Sequence, residues 1–244
     1  MEQRVALITG ASQGLGRALA AALADRDWVL VLDARRGERL EPVAAELSHR
    51  TTVVAIAGDV ADSAHRARLV AAVEDQGRLD LLVNNASTLG ASPLPALASI
   101  DLEVIRRIYE VNVVAPLALT QQLLGALAAS HGTIVNVTSD AAVEAYPSWG
   151  GYGSSKAAFE HLSAVLAVEQ PEVRVLVTDP GDMRTEMHQD AFPGEDISDR
   201  PRPEASAAAI VALVAAGTPS GRYRTAELAT NEATAPGAVA TGVA

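Results

Sequence analysis

The sequence predicts an α/β fold, a single domain in which a parallel sheet of about seven strands carries helices on both faces. Three observations predict it. Short apolar runs alternate with helical stretches along the whole chain. The runs are apolar at successive positions rather than at every second one, as in strands buried on both faces. Regular strand–helix alternation without an internal repeat packs as a layered parallel sheet. Right-handed crossovers then leave a doubly wound, Rossmann-type sheet, whose ligands bind beyond the carboxyl ends of the strands.

The elements follow in order. Residues 5–9 form a first strand, a glycine-rich turn follows, and 15–26 read as an Ala/Leu helix. Strands at 28–33, 52–57 and 79–83 alternate with helices at 38–49 and 63–76. A long helical zone fills 101–130, then come a strand at 133–138, a helix at 153–168 and a strand at 173–178. A helix at 204–216 and a last strand at 221–227 complete a domain over residues 1–228. The segment 183–203, rich in Pro, Gly, Asp and Arg, lies inside this domain and is expected to be a mobile lid. Residues 229–244 are nearly all small and fit either a loose end or an arm on a neighbouring subunit.

Composition bounds the function. The 244 residues suit one α/β domain, 49% are apolar, and with aromatics at 3% the core must be Ala, Val, Leu and Ile. A net charge of −11 argues against a nucleic-acid partner and against an anionic membrane surface. With no Cys, disulfides and thiolate chemistry are excluded, and the five His show no metal-binding spacing, so no metal is expected. The first apolar run stops after five residues, too short for a signal peptide, and no uncharged apolar stretch approaches about 18 residues. A cytoplasmic protein is expected.

Thr9-Gly10-Ala11-Ser12-Gln13-Gly14-Leu15-Gly16 joins the first strand to the first helix. Glycines there let the backbone turn sharply and approach a pyrophosphate, while the helix N-terminus offers free N–H groups and partial positive charge. The spacing TGxxxGxG resembles that of the short-chain dehydrogenase/reductase family. Further motifs extend the likeness over about residues 5–227. Asp59 follows the third strand, Asn84-Asn85-Ala86-Ser87 resembles the family's NNAG, and Asn112 matches a helix Asn. Ser139 follows the fifth strand, Tyr152 and Lys156 form YxxxK, and 180–185 resemble PGxxxT.

Tyr152 and Lys156, four residues apart, share a helix face. Carbonyl reduction needs a proton for the developing alkoxide, and alcohol oxidation needs a base. A free phenol titrates near 10, and a neighbouring ammonium is expected to draw it towards neutrality, where it serves both directions. The resemblance implies that Ser139 bonds the substrate oxygen, that Lys156 also holds the nicotinamide ribose, and that Asn112 supports Lys156 through a water. It further implies cofactor contacts from Gly10, Ser12, Gln13, Gly14, Leu15 and Gly16, from Asp33 and Arg35, from Asp59 and Val60, from Asn85 and Ala86, and from Pro180, Gly181, Met183 and Thr185, beside Tyr152 and Lys156.

The end of the second strand bears on the choice of cofactor. An acidic residue there takes the ribose 2′-hydroxyl of NAD, whereas a nearby Arg accommodates the 2′-phosphate of NADP. Asp33 stands one position before the family's NAD-selecting Asp, Ala34 occupies that position and Arg35 follows, so NADP is favoured and NAD stays possible. Side chains alternate along a strand, so the shift of one turns Asp33 away. Val143, Tyr146, Trp149, His188 and Phe192, with Met183 and Met187, are candidate walls for a mostly apolar small-molecule carbonyl or alcohol. The expected activity is hydride transfer between nicotinamide and that carbon. A non-catalytic NAD(P)-binding sensor or scaffold is the alternative on the same fold. A homodimer or homotetramer is implied by resemblance, through the helices at 101–130 and 153–168.

Overall fold

A computed structural model describes residues 3–226, so the 229–244 tail and the end of the expected last strand lie outside the described residues. The chain folds as β1 (Val5–Ile8), α1 (Gly14–Ala24), β2 (Val29–Ala34), α2 (Gly37–Leu47), β3 (Val53–Ala57), α3 (Ser63–Asp75) and β4 (Leu81–Asn84). Then follow α4 (Leu102–Tyr109), a π turn (Glu110–Val114), α5 (Ala115–Ala129), β5 (Thr133–Val137) and a short 3-10 turn (Asp140–Ala142). The rest is α6 (Gly150–Glu169), β6 (Arg174–Asp179), α7 (Glu186–Ala191), α8 (Pro203–Ala215) and β7 (Gly221–Arg224).

The seven strands lie in the order β3-β2-β1-β4-β5-β6-β7 and every pairing is parallel. The order reverses between β1 and β4, which opens a crevice beyond their carboxyl ends. Strand periodicity sorts the core into two layers. Ala6, Ile8, Leu30, Leu32, Val83 and Val135 face one layer with Leu19 and Leu23 of α1 and Ile210 of α8. Val5, Leu7, Val29, Val31, Leu82 and Ile134 face the other, against Leu69 and Val73 of α3 and Leu119, Leu123 and Leu127 of α5.

Local chemistry sets several boundaries. Asp62 and Asp101 accept the backbone N–H groups of Ala64 and Glu103 and so cap α3 and α4. The expected helical zone is continuous from Leu102 to Ala129, and by length and apolarity alone it passes for a membrane span. Its Leu119, Leu123 and Leu127 are instead buried in the core layer beside the sheet, and Leu102 and Val114 are exposed. The π turn within it, centred on Asn112, widens the helix where it passes the crevice. The segment 183–203 is not wholly irregular, because Thr185 accepts the His188 N–H and starts α7.

Candidate active site

The glycine turn is locked to the end of β4. Gly10 has φ of +67°, and a Cβ on it would lie 2.9 Å from Asn85 Nδ2. A Cβ on Gly16 would lie 2.3 Å from the Gly10 carbonyl oxygen, so the helix can start this close to the turn only with glycine there. Asn85 Nδ2 donates to the carbonyls of Thr9 and Gly10 at 2.8 and 3.1 Å, and Thr9 Oγ1 accepts the N–H groups of Asn85 and Ala86. Gln13, the N-cap of α1, gives no side-chain cap, so the helix presents its N-terminal N–H groups uncapped. That is a phosphate-binding arrangement. A glycine cradle and an open helix N-terminus at the switch point fit a dinucleotide.

The far end of the cleft is basic at its lip. Asp33 is buried at the end of β2, with Oδ1 2.5 Å from His65 Nε2 and Oδ2 accepting the Gly10 N–H at 3.3 Å. Burial pushes its carboxyl up against the opposing pull of His65. Arg35 lines the cleft and is exposed. Arg36 and Arg39 are both drawn to Glu186, and Arg39 also reaches Gln13. Partial burial raises the Asp59 carboxyl, but the Ala61 N–H and the Arg107 and Arg35 guanidiniums outweigh it and hold the group below its ordinary range.

Catalytic candidates meet at the ends of β5 and α6. Tyr152 and Lys156 are both buried, and Lys156 Nζ lies 5.5 Å from the Tyr152 ring centroid while donating to the Val137 carbonyl at 2.8 Å. Burial lowers the Lys156 ammonium to about 8, partly opposed by Glu160 one turn further on. The sequence-based expectation for Tyr152 is corrected here: its phenol is raised, not drawn to neutrality. Burial is the main cause, Asp140 and Asp179 add to it, and the Ser87 and Ser139 hydroxyls pull the other way. The ammonium lies by the ring and bonds a carbonyl, so it does not offset the desolvation of a phenolate.

Ser139 caps the 3-10 turn, and its hydroxyl donates to Asp140 Oδ1 at 2.9 Å. Arg222 holds the Ser139 carbonyl at 3.3 Å and joins it to Glu160 and Asp179. Asn112 is buried behind the cleft and fully partnered. Its Oδ1 accepts from the Ser87 hydroxyl and the Thr88 N–H, and its Nδ2 donates to the Thr88 carbonyl and Ser155 Oγ. It therefore ties the β4 loop to α6 beside Lys156. At the substrate end Leu89, Trp149, Met183, Met187, His188 and Ala191 line the cleft. Trp149 meets Tyr152 edge-on at 5.7 Å.

The sequence profile described as short chain dehydrogenase matches residues 4–196. The chain belongs to this family. The chain is 38% identical over 199 residues to sepiapterin reductase of Rattus norvegicus, covering 76% of each chain. It is 37% identical over 186 residues to serine 3-dehydrogenase of Agrobacterium fabrum, covering 74% of this chain and 72% of that one. Among solved structures, an alcohol dehydrogenase from Thermococcus sibiricus, complexed with 5-hydroxy-NADP, superposes with a TM-score of 0.81 at 28% identity. That match covers 91% of this chain and 96% of the other. By its family and relatives this chain is an NAD(P)-dependent oxidoreductase enzyme.

One cleft gathers most of the residues singled out in the sequence. Gly10, Ser12, Gln13, Gly14, Leu15, Asp33, Arg35, Asp59, Val60, Asn85, Ala86, Ser139, Tyr152, Lys156, Pro180, Gly181, Met183 and Thr185 all line it, as do Trp149 and His188. Gly16 and Asn112 stand behind the wall and shape it. Three expected pocket residues are placed elsewhere. Val143 is 60% exposed and outside the lining, Tyr146 points its hydroxyl at Asp140 and Glu144, and Phe192 backs Trp149 and His188 from outside the lining. The sequence reading missed Asp140 as a lining residue, although it adjoins Ser139. It also missed a buried relay from Asn84 to Asn136 at 2.8 Å and on to Ser163 at 2.7 Å, which pins α6 to the sheet. Polar residues at strand positions otherwise apolar were its only signal.

Proposed function

We propose that this dehydrogenase uses NADPH to reduce a small carbonyl compound, and runs the reverse oxidation of the alcohol, with Tyr152 as the acid and base. The observation that carries the reading is the buried Tyr152 phenol, set in the cleft with Ser139 and Ser87 on one side and Lys156 beneath.

NADPH would lie over the glycine turn and the start of α1, with Asp59, Asn85 and Lys156 along its length, and it supplies the hydride. Ser139 Oγ turns from Asp140 to donate to the substrate oxygen. Because burial keeps Tyr152 protonated at neutral pH, its hydroxyl is ready to give a proton to that oxygen as negative charge develops on it. The Lys156 ammonium, still mostly protonated at pH 7 and held by the Val137 carbonyl, would hold the nicotinamide ribose beside the phenol. Asn112 keeps the Ser87–Thr88 segment and α6 in register. Trp149, Met183, Met187 and Leu89 give the substrate end an apolar wall, and the segment 183–203 covers it.

NADP over NAD is supported by two features. Asp33 has both carboxylate oxygens committed, and Arg35 stands at the cleft where a 2′-phosphate would need a cation. The solved alcohol dehydrogenase carries an NADP derivative. The test is a panel of carbonyls and alcohols assayed with NADPH and NADH in parallel, with Tyr152→Phe as the comparison. The variant should bind NADPH normally and lose nearly all turnover. Retained turnover would remove Tyr152 from the role.

A further inference from the structure

Asp33 and His65 make a contact that none of the steps above uses. Both side chains are almost wholly buried, at 2% and 1% exposure, and their polar atoms lie 2.5 Å apart. Asp33 sits on the same side of β2 as Val29 and Val31, facing the layer in which α3 lies. His65, in the first turn of α3, reaches it from there. Two glycine-turn N–H groups also end on Asp33. Its carboxylate takes that of Gly10 at 3.3 Å and its main-chain oxygen takes that of Ala11 at 2.8 Å.

The imidazole is itself held in place. Arg68 Nη2 lies 3.0 Å from His65 Nδ1 and donates to the Ala57 carbonyl at 3.2 Å. A guanidinium can only donate, so Nδ1 accepts and the Nε2 proton points at Asp33. Gly58 makes the room, because a Cβ there would lie 2.2 Å from Nδ1. His65 thus braces the end of β2, the end of β3 and the turn that cradles the dinucleotide.

We propose that His65 and Asp33 are a positioning pair: His65 holds the Asp33 carboxylate inward, where it anchors Gly10 and stays out of the adenosine end of the cleft. This rests on the reading of that cleft as an NADPH site. Without His65 the buried carboxylate keeps only the Gly10 N–H at 3.3 Å, a costly state that turning towards water in the cleft relieves. Gly10 then loses its acceptor, and a negative charge enters the region meant for the 2′-phosphate. NADPH should suffer more than NADH.

The experiment is a titration of NADPH and NADH fluorescence, with thermal unfolding alongside, on the full chain and on His65→Ala, His65→Gln and Asp33→Ala. His65→Ala should weaken NADPH about tenfold or more and NADH markedly less, the size expected for a buried charge stripped of its partner. His65→Gln, whose amide N–H still reaches Asp33, should recover most of the loss. Asp33→Ala removes the anchor without leaving a charge and should weaken both nucleotides alike. NADPH binding by His65→Ala within about twofold of the parent, near the limit set by RT, would overturn the pair. So would equal loss of both nucleotides, a Gln variant no better than Ala, or unchanged binding by Asp33→Ala. A parent chain that binds neither nucleotide would overturn the reading of the cleft instead.

Discussion

Replacing Arg35 by Ala should separate the two nicotinamide cofactors. Arg35 follows Ala34 at the end of β2, is exposed and lines the cleft. Its basic neighbours are committed, Arg36 and Arg39 to Glu186. Two unit charges about 4 Å apart at an effective dielectric of about 20 attract by about 4 kcal/mol, an upper bound for a site this open. A net charge-assisted hydrogen bond is worth about 1.5–3 kcal/mol, and solvent screening at an exposed guanidinium puts Arg35 in the lower half of that range. At about 1.4 kcal/mol per factor of ten, NADPH affinity should fall about 10- to 30-fold, while NADH affinity stays within about twofold. Fluorescence titration of both cofactors at low salt measures this, and repetition at about 0.5 M salt should shrink the NADPH advantage of the parent chain. Equal losses for both cofactors, or a larger NADPH loss in Arg36→Ala, would refute the reasoning.

Two further outcomes follow from the site. The Lys156 ammonium is lowered to about 8, so the charged form is present below that pH and lost above it. In the reducing direction kcat/KM should therefore hold steady through pH 6–7 and decline through about pH 8, and a profile flat to about pH 10 would contradict the role given to Lys156. Gly16→Ala drives a Cβ to 2.3 Å from the Gly10 carbonyl oxygen, a backbone atom that cannot swing aside as a flexible side chain would. Overpacking of this kind costs about 3 kcal/mol, which corresponds to a Tm about 6–12 °C lower in a chain of this size, and NADPH binding should weaken with it. An unchanged Tm and Kd would show that α1 can shift without cost.

The sequence by itself determined the layers and the site's address. Continuous apolar runs made both faces of the strands buried, and the seven-strand parallel sheet follows from their alternation with helices. Many motif residues fall at strand ends because the turns proposed to bind the cofactor are the strand-to-helix connections themselves, while Asn112, Tyr152 and Lys156 stand on helices. Such features are local: they depend on residues a few positions apart, whose periodicity and backbone chemistry can be read directly.

Tertiary structure alone decided the electrostatics and the shape of the walls. The shift of one position suggested that Asp33 turns away, but not that His65, 32 residues on, awaits it. Adjacent Lys156 suggested a lowered phenol, yet burial, Asp140 and Asp179 reverse the sign for Tyr152. Glu186, 150 residues from Arg36, engages Arg36 and Arg39, while Arg35 stands near enough to Asp59 to help hold its carboxyl down. Val143, expected as a pocket wall, is exposed and outside the lining. A pKa, a committed carboxylate and a pocket wall each depend on distances between segments far apart in the chain, and those distances exist only once the layers have packed.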